Sequence, residues 1–248
     1  MGNSYGAAQF PSLFDKCVLH WTGTDETING FPIIPSGVTV TPAGTWSNPL
    51  DLGNNKSVKK FDNSTNFISL SDNDAWTILG ADFTICFWVR FWGDEANDTI
   101  FSQITGPDGS SWGIRMLHYG AYIKNITLVS DGANCYYHYD SMSCDFDTWY
   151  HIVVERSGTS CLMYVDAVSV TPTVGTAFGS ITNLAGTLEI GRVNTATPHY
   201  HAGYLKDLLV YKGRALTVPE IKLVMARTHP ITGTGMIAGP YDYYKVIS

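Results

Sequence analysis

Aromatic residues beside predicted turns are the clearest candidates for binding chemistry in this sequence. A sugar ring has apolar C–H faces that stack on aromatic rings, while its hydroxyl groups bond to amides, carboxylates and backbone. Tyrosine also gives a large contact at a small entropy cost in protein interfaces. The candidate ligand-binding residues are Trp112, Tyr119, Tyr122, Tyr136, Tyr137, Tyr139, His199 and Tyr200. The alternative is that alternate aromatic residues of segment 136–139 simply cover a sheet.

The sequence lacks an evident carboxylate pair for glycan hydrolysis. Such a pair needs an acid and a nucleophile or base about 5 to 10 Å apart, and on a strand only alternate residues share a face. Asp94 and Glu95 are adjacent, whereas Asp145 and Asp147 have the right spacing but resemble a turn that enters the strand at Trp149. A nucleophile elbow, a phosphate-binding glycine loop and an HExxH motif are also missing from the sequence. Binding is therefore favoured over catalysis.

Histidine and cysteine spacing gives little support for a metal centre. His199 and His201 share a strand face and could act as a pair, but two ligands are too few alone. The five cysteines form no CxxC motif. Cys86 and Cys161 lie within alternating runs and are expected to be buried, and a bridge between two others, at positions 135 and 144, is left open because the redox compartment decides it.

Composition limits the class of partner. The 248 residues carry a formal charge of −7 and only 15% charged residues, so the overall field does not attract nucleic acid or anionic lipid. The sequence has no apolar run of the roughly 20 residues that a membrane span needs. It shows no signal peptide at its start, which leaves three explanations: a mature or recombinant form, a cytosolic protein, or release by another route such as inside a virus particle. The expected location is extracellular or on a virion surface.

Short alternating runs separated by turn residues predict an all-β protein. Strands are predicted at residues 17–21, 38–41, around 46, 57–61, 67–70, 82–92, 99–104, 112–117, 121–129, 135–139, 149–156, 161–165, 187–191 and 203–211. In segment 82–92, Phe83, Ile85, Phe87, Val89 and Phe91 alternate toward one face, which predicts a core face and a half-exposed face.

One helix is predicted near the end of the chain. Thr217 precedes Glu220 by three residues, which is capping-box spacing, and Pro219 stands in the would-be first turn. Ile221 and Val224 begin an apolar stripe. The segment after this helix is rich in Gly, Pro and Tyr and predicts an extended tail.

Several motifs occur in an order that is specific as a set. They are Phe61-Asp62-Asn63 at an FDG-type turn, DFTICFWV at 82–89, WYHIVVER at 149–156, YVDA at 164–167, IGR at 190–192, and the run from Gly203 to Ile221 that contains RALT. This order resembles the laminin G-like members of the concanavalin A-like lectin/glucanase superfamily over residues 15–226. The resemblance implies a jelly-roll sandwich of two antiparallel sheets, a fold that also occurs in lectins and virus particles.

The resemblance also implies a possible calcium ion. The family often has a site where the FDG-type turn meets the strand with its "ID" residue, and the positions carried over are Asp62, Asn66 and Asp207. Calcium takes six to eight oxygen ligands, which these side chains and nearby carbonyls could supply. The alternative is that Asp62 and Asn66 bond to their own turn and that Asp207 bonds to a neighbouring amide. Asn63 replaces the usual glycine of the turn.

These observations predict an N-terminal arm (1–14), a laminin G-like jelly roll (15–227) and a tail (228–248). The expected function is non-catalytic recognition of a carbohydrate or a cell-surface receptor, possible in a virus particle or appendage. An alternative is a structural or assembly protein that forms a homo-oligomer through its tail. A glycan hydrolase or lyase with displaced catalytic residues is the least favoured alternative.

Overall fold

Two antiparallel sheets face each other across an apolar core. The computed structural model describes residues 13, 15–21, 35–46, 59–78, 80–92, 98–105, 111–119, 122–130, 133–137, 144–170 and 183–228. Up to the middle of the chain its strands are β1 Cys17–Trp21, β2 Val40–Ala43, β3 Lys59–Asp62, β4 Phe67–Leu70, β5 Phe83–Phe91, β6 Asp98–Ile104, β7 Ser111–Tyr119 and β8 Tyr122–Ser130. The rest are β9 Ala133–Tyr137, β10 Cys144–Asp145, β11 Trp149–Ser157, β12 Ser160–Val165, β13 Val168–Val170, β14 Leu188–Ile190, β15 Arg192–Val193, β16 His199–Tyr200 and β17 Ala202–Lys212.

The strand order follows the jelly-roll pattern that the sequence predicted. Sheet A has the order β1-β17-β5-β11-β12-β13, and β3 also pairs with β17. Sheet B has the order β10-β8-β7-β6-β14-β4-β2, with β9 beside β8. Strands β15 and β16 form a separate two-stranded ribbon. The all-β prediction is confirmed, although the ribbon and β13 were not predicted and Trp46 lies outside any strand.

The core lies between the inner faces of the two sheets. The alternate residues of β5 from Phe83 to Phe91 are fully buried there, as predicted. The prediction that the other face is half exposed is wrong for Thr84, Cys86 and Trp88, which are also buried. Helix α1, Val218–Thr228, and the segment before it cover that outer face, so sheet A is buried on two sides over much of its area.

Helix α1 begins as its sequence predicts. The Glu220 carboxylate accepts hydrogen bonds from the backbone N–H and the hydroxyl group of Thr217, both at 2.8 Å. These bonds, with that of Arg214, lower the pKa of Glu220 although partial burial opposes them. Ile221 and Val224 then pack on the outer face of sheet A. Within the described residues, no helix is long and apolar enough to cross a membrane.

The domain extends slightly beyond its predicted limits of 15 and 227. Leu13, predicted in the N-terminal arm, is buried in the cluster under α1, and α1 continues to Thr228. The other residues of the arm and of the 229–248 tail lie outside the described part of the chain. Cys144 is a buried free thiol, and burial raises its pKa to about 12. The Cys135 side chain lies outside the described part.

A buried carboxylate lies under the segment that leads into α1. Glu155 on β11 is 2% exposed, and its nearest donors are the hydroxyl groups of Tyr164 at 3.3 Å and Thr84 at 3.4 Å. Burial raises the pKa of Glu155 from 4.5 to about 7, although these hydrogen bonds oppose the shift. The folded protein therefore binds a proton here that the unfolded chain has already lost at neutral pH.

We predict that Glu155 makes the domain less stable as the pH rises. Because the folded-state pKa is higher than the unfolded one, the free energy of unfolding should fall by about 1–3 kcal/mol between pH 5 and pH 8. Glu155→Gln should remove most of this slope and be more stable than wild type at pH 8. Urea unfolding at several pH values measures both curves, and parallel curves would contradict the prediction.

Candidate functional site

One end of the sandwich brings together most of the predicted site residues. Asp62 at the end of β3 pairs with Ala202 at the start of β17, and the Ala202 N–H donates to the Asp98 carboxylate of sheet B at 2.7 Å. The ribbon, the end of β7, the start of β8 and the start of β11 lie at this same end, as the strand pairing shows. We call it the Asp62 end.

The β15–β16 ribbon brings Tyr200 beside a fixed arginine, whereas the adjacent His199 points to the opposite face of the ribbon. Tyr200 pairs with Arg192, and His199 pairs with Val193. The Arg192 guanidinium binds both carboxylate oxygens of Glu189, at 2.7 and 2.5 Å, and its Cζ lies 3.4 Å from the centroid of the Phe67 ring. Such a bidentate, stacked arginine has a defined orientation. We call Phe67, Glu189, Arg192 and Tyr200 the ribbon site.

The ribbon site has the groups that a neutral sugar needs. Burial alone would lower the pKa of Arg192, but Glu189 and the hydrogen bond to Tyr200 raise it, so the guanidinium stays charged. A guanidinium has five N–H donors, more than Glu189 uses. His199 and Tyr200 are half-buried, and the ribbon turn beside them, residues 194–198, is mostly exposed. The site therefore combines rings with oriented hydrogen-bond donors next to solvent.

Sequence reasoning found only part of the ribbon site. Tyr200 was predicted from its ring type, whereas Phe67, Glu189 and Arg192 were not identified as site residues, and a binding role for His199 stays a prediction. Arg192 belongs to the IGR segment, and its partner lies three residues before it. That short spacing is the one signal in the sequence that could have indicated the Glu189–Arg192 pair.

Trp112 is not a ligand-binding residue, contrary to the prediction. It is 1% exposed and lies opposite Gln103 in the strand pairing. Its Nε1–H donates to the Gln103 side chain at 2.7 Å, and its ring packs edge-on against Phe101 at 5.3 Å. The indole therefore points into the core with its polar group satisfied, because β7 turns this residue toward sheet A.

The predicted tyrosines of sheet B are described by their backbone alone. Tyr119 ends β7 and pairs with Tyr122 at the start of β8, which places their turn at the Asp62 end. Tyr136 and Tyr137 lie on β9 beside β8. The side chains of these four residues, and all of Tyr139, lie outside the described part of the chain, so their binding role stays a prediction.

The two histidines of the ribbon region do not form a pair. His199 is on β16, whereas His201 follows the strand and is fully buried between the rings of Phe61 and Phe91, at centroid distances of 5.5 and 5.8 Å. The His201 Nδ1 lies 3.7 Å from the Asp98 carboxylate. Among the residues that the structure describes, no group of three or more His, Cys, Asp or Glu side chains could hold a metal ion.

Asp62 bonds to its own turn. Its Oδ1 accepts the backbone N–H groups of Ser64, Thr65 and Asn66 at 2.8–3.0 Å, and its Oδ2 accepts the Thr65 hydroxyl group at 2.7 Å. Partial burial would raise the pKa of Asp62, but these hydrogen bonds lower it well below the usual range. Asn63, which replaces the family glycine, has a φ of 62°, a left-handed conformation that asparagine tolerates.

Asp207 does not join Asp62 and Asn66 in a calcium site. It is five positions further along β17 than Ala202, the partner of Asp62, or roughly 16 Å at the usual rise of a strand. Its carboxylate instead bonds to His20 Nε2 at 2.7 Å and to the Lys206 ammonium group. The three residues implied by the resemblance therefore do not fit one ion.

Asp145 and Asp147 do not form the same-face pair that hydrolysis on a strand would need. Asp145 ends β10, and Asp147 lies in the next turn with a φ of 60°. Asp147 forms an ion pair with Arg90 at 3.1 Å. Their interpretation as a turn that enters β11 is confirmed.

A laminin G family model, described as the concanavalin A-like lectin/glucanases superfamily, matches residues 61–222. No curated protein sequence matches the chain. Three solved structures show the same fold at low identity. Domain 4 of AbnA, an extracellular arabinanase from Geobacillus stearothermophilus solved in complex with arabinotriose, is 18% identical, covers 84% of this chain and 98% of its own, and has a TM-score of 0.58.

Two toxin structures are similar over one part of their length. The binding domain of botulinum neurotoxin serotype C1 is 12% identical with a TM-score of 0.62, over 88% of this chain and 53% of its own. The binding domain of botulinum neurotoxin DC, in complex with rat synaptotagmin II, is 13% identical with a TM-score of 0.60, and it also covers 88% of this chain and 53% of its own. This chain spans about half the length of the toxin domains. From the family match and the two-sheet fold together, the chain belongs to the concanavalin A-like lectin/glucanase superfamily.

Proposed function

We propose that this chain is a non-catalytic carbohydrate-binding module. The ribbon site carries the proposal, because it places the half-buried Tyr200 ring beside an arginine whose orientation is fixed by Glu189 and Phe67. Binding sites of this kind combine an apolar surface with a few oriented polar groups. Stacking on Tyr200 would hold one face of a sugar ring, and Arg192 would donate to its hydroxyl groups.

The similar structures support a binding role. One of them is an arabinanase domain solved with arabinotriose, and the others are toxin binding domains. The positions of Asp145 and Asp147 give no support to hydrolysis. Recognition of glycans on cell surfaces would suit a protein outside its cell or on a virus particle, and this location stays part of the proposal. Oligomerisation through the 228–248 tail stays an alternative that the described residues do not test.

We predict that Tyr200 supplies contact to a bound sugar. Oligosaccharides that bind the wild-type protein on an array should bind the Tyr200→Ala variant about tenfold more weakly. A loss of this size is typical for a residue at the centre of a binding surface. Tyr200→Phe should lose less affinity, because it keeps the ring and loses only the hydroxyl group beside Arg192. Val218→Ala, on an exposed helix position, is the control, and calorimetry gives the dissociation constants.

An array without any bound glycan would contradict the proposed function. If wild type and Tyr200→Ala bind the glycan with equal affinity, the protein is a binding module, but its binding site is not the ribbon site. Turnover of a polysaccharide that is lost in Asp145→Asn or Asp147→Asn would favour the hydrolase alternative.

We further propose that the Asp62 turn functions without calcium, since its own hydrogen bonds satisfy the carboxylate. Asp62→Ala should lower the free energy of unfolding by about 2 kcal/mol, the scale of hydrogen bonds to a charged group, and Asp62→Asn by less. Because the folded-state pKa of Asp62 is lowered, this contribution should decline as the pH falls below about 4. Urea unfolding in chelator and in millimolar calcium should give equal values. Stabilisation by calcium that is lost in Asp62→Ala would contradict this proposal.

A further inference from the structure

We propose that the outer face of sheet A at the Asp62 end binds a sugar that carries a carboxylate group. This inference rests on the proposed carbohydrate-binding function and identifies a second surface with its own ligand class. The surface consists of Lys60, Tyr204, Arg90 and Trp149, with Trp92 beside them. We call these five residues the aromatic–cationic row.

Strand register places four of these residues in one line. Lys60 on β3 lies opposite Tyr204 on β17, Tyr204 lies opposite Arg90 on β5, and Arg90 lies opposite Trp149 on β11. Directly opposed residues share a face of an antiparallel sheet, and this face points away from the core. Three spacings of ~4.8 Å make the row roughly 15 Å long, a length that suits a short oligosaccharide.

Helix α1 does not reach this row along the sheet: Lys60, Arg90 and Trp149 are half-buried, and Tyr204 between them is 7% exposed. The preceding row, with Lys206 and Trp88, lies under the end of the helix, where Lys206 Nζ donates to the Thr228 carbonyl group at 2.7 Å and Trp88 Nε1 donates to the Thr228 hydroxyl group at 2.9 Å. The aromatic–cationic row lies beyond these contacts with the helix, and Trp92 beside it is 42% exposed.

The rings of the row are held in position. Trp92 Nε1 donates to the Phe61 carbonyl group at 3.1 Å, and Lys60 Nζ lies 4.9 Å from the centroid of the Trp92 ring. The rings of Trp149 and Tyr204 are 6.4 Å apart between centroids. Fixed rings lose little conformational entropy on binding, which favours stacking against a sugar ring.

Charge identifies the ligand class. The protein has a formal charge of −7, yet this row holds Lys60 and Arg90, with the Arg90 guanidinium 5.5 Å from the Tyr204 ring centroid. Arg90 Nε and Trp149 Nε1 are buried without a hydrogen-bond partner in the described part of the chain. Since these two atoms are closed to solvent, a ligand carboxylate would meet the exposed part of the Arg90 guanidinium, whose side chain is 21% exposed, and the Lys60 ammonium group.

Arg90 already has one carboxylate that a ligand could replace. Its partner Asp147 has a side chain that is 67% exposed, and the ion pair is 3.1 Å long. Exposed ion pairs contribute about 0–1 kcal/mol, so exchange of Asp147 for a ligand carboxylate costs little. Asp147 would therefore compete with the ligand carboxylate for Arg90.

The first test compares charged sugars with neutral counterparts on the full chain. Calorimetry with 3′-sialyllactose against lactose, and with trigalacturonate against its methyl ester, should show at least one carboxylated sugar binding about tenfold more tightly. Lys60→Gln should reduce that preference about fivefold. Lys222→Gln, on an exposed position of α1, makes the same change in net charge and should leave the preference unchanged.

The second test should increase affinity rather than reduce it. Asp147→Asn removes the competing carboxylate and keeps a residue that tolerates the φ of 60° at this position. We expect it to bind the carboxylated sugar a few-fold more tightly and the neutral sugar as before. A gain of affinity cannot come from loss of folding, so unchanged or weaker binding of the carboxylated sugar would overturn the inference.

The other outcomes separate this inference from the proposed function. Neutral sugars that bind through Tyr200, without any preference for carboxylated ones, would preserve the proposed function and overturn the inference. Equal effects of Lys60→Gln and Lys222→Gln would also overturn the inference, because they would show that the preference depends only on the net charge of the protein. Deletion of residues 231–248 is the last control. If it changes the NMR signal of the Trp92 indole N–H group in the absence of sugar, the tail occupies the row, and the inference is overturned.

Discussion

The register of strand β17 determines both surfaces of sheet A. This strand lies between β1 and β3 on one side and β5 on the other, and all its residues except Lys212 are buried. Before the bulge, Lys206 lies opposite Trp88, and after it Leu209 lies opposite Cys86. The one extra residue keeps Leu205, Leu208 and Val210 in the core and turns Leu209 and Tyr211 toward helix α1.

The bulge also explains the buried charges at its centre. Asp207 has a φ of 48°, and its carboxylate is held by His20 and Lys206 while Lys206 also binds the end of α1. A cation at a helix C-terminus interacts favourably with the last carbonyl groups. The same cluster therefore fixes the bulge and ends the part of sheet A that the helix covers, so that the next row of side chains, at the Asp62 end, lies beyond the helix.

The sequence predicted the strands and their inner faces well, because alternation in segments such as β5 is a local property. It could not predict that helix α1 buries Thr84 and Cys86 as well, since that cover comes from residues more than a hundred positions away. The Gly203–Tyr211 run was predicted as one strand, and Asp207 was placed beside the Asp62 turn only because the family resemblance implied it. A one-residue bulge leaves little signal in a single sequence. The row of Lys60, Tyr204, Arg90 and Trp149 likewise depends on pairing among four distant strands.

The central claim is that this register presents a fixed aromatic and cationic surface to a ligand, and the tryptophan indole groups report on it directly. The seven tryptophans give separate indole N–H signals in a proton–nitrogen NMR spectrum. During titration with a carboxylated sugar, the signals of Trp92 and Trp149 should shift, while those of the buried Trp21, Trp76 and Trp112 stay in place. Binding of the sugar with Trp92 and Trp149 unmoved would contradict the account.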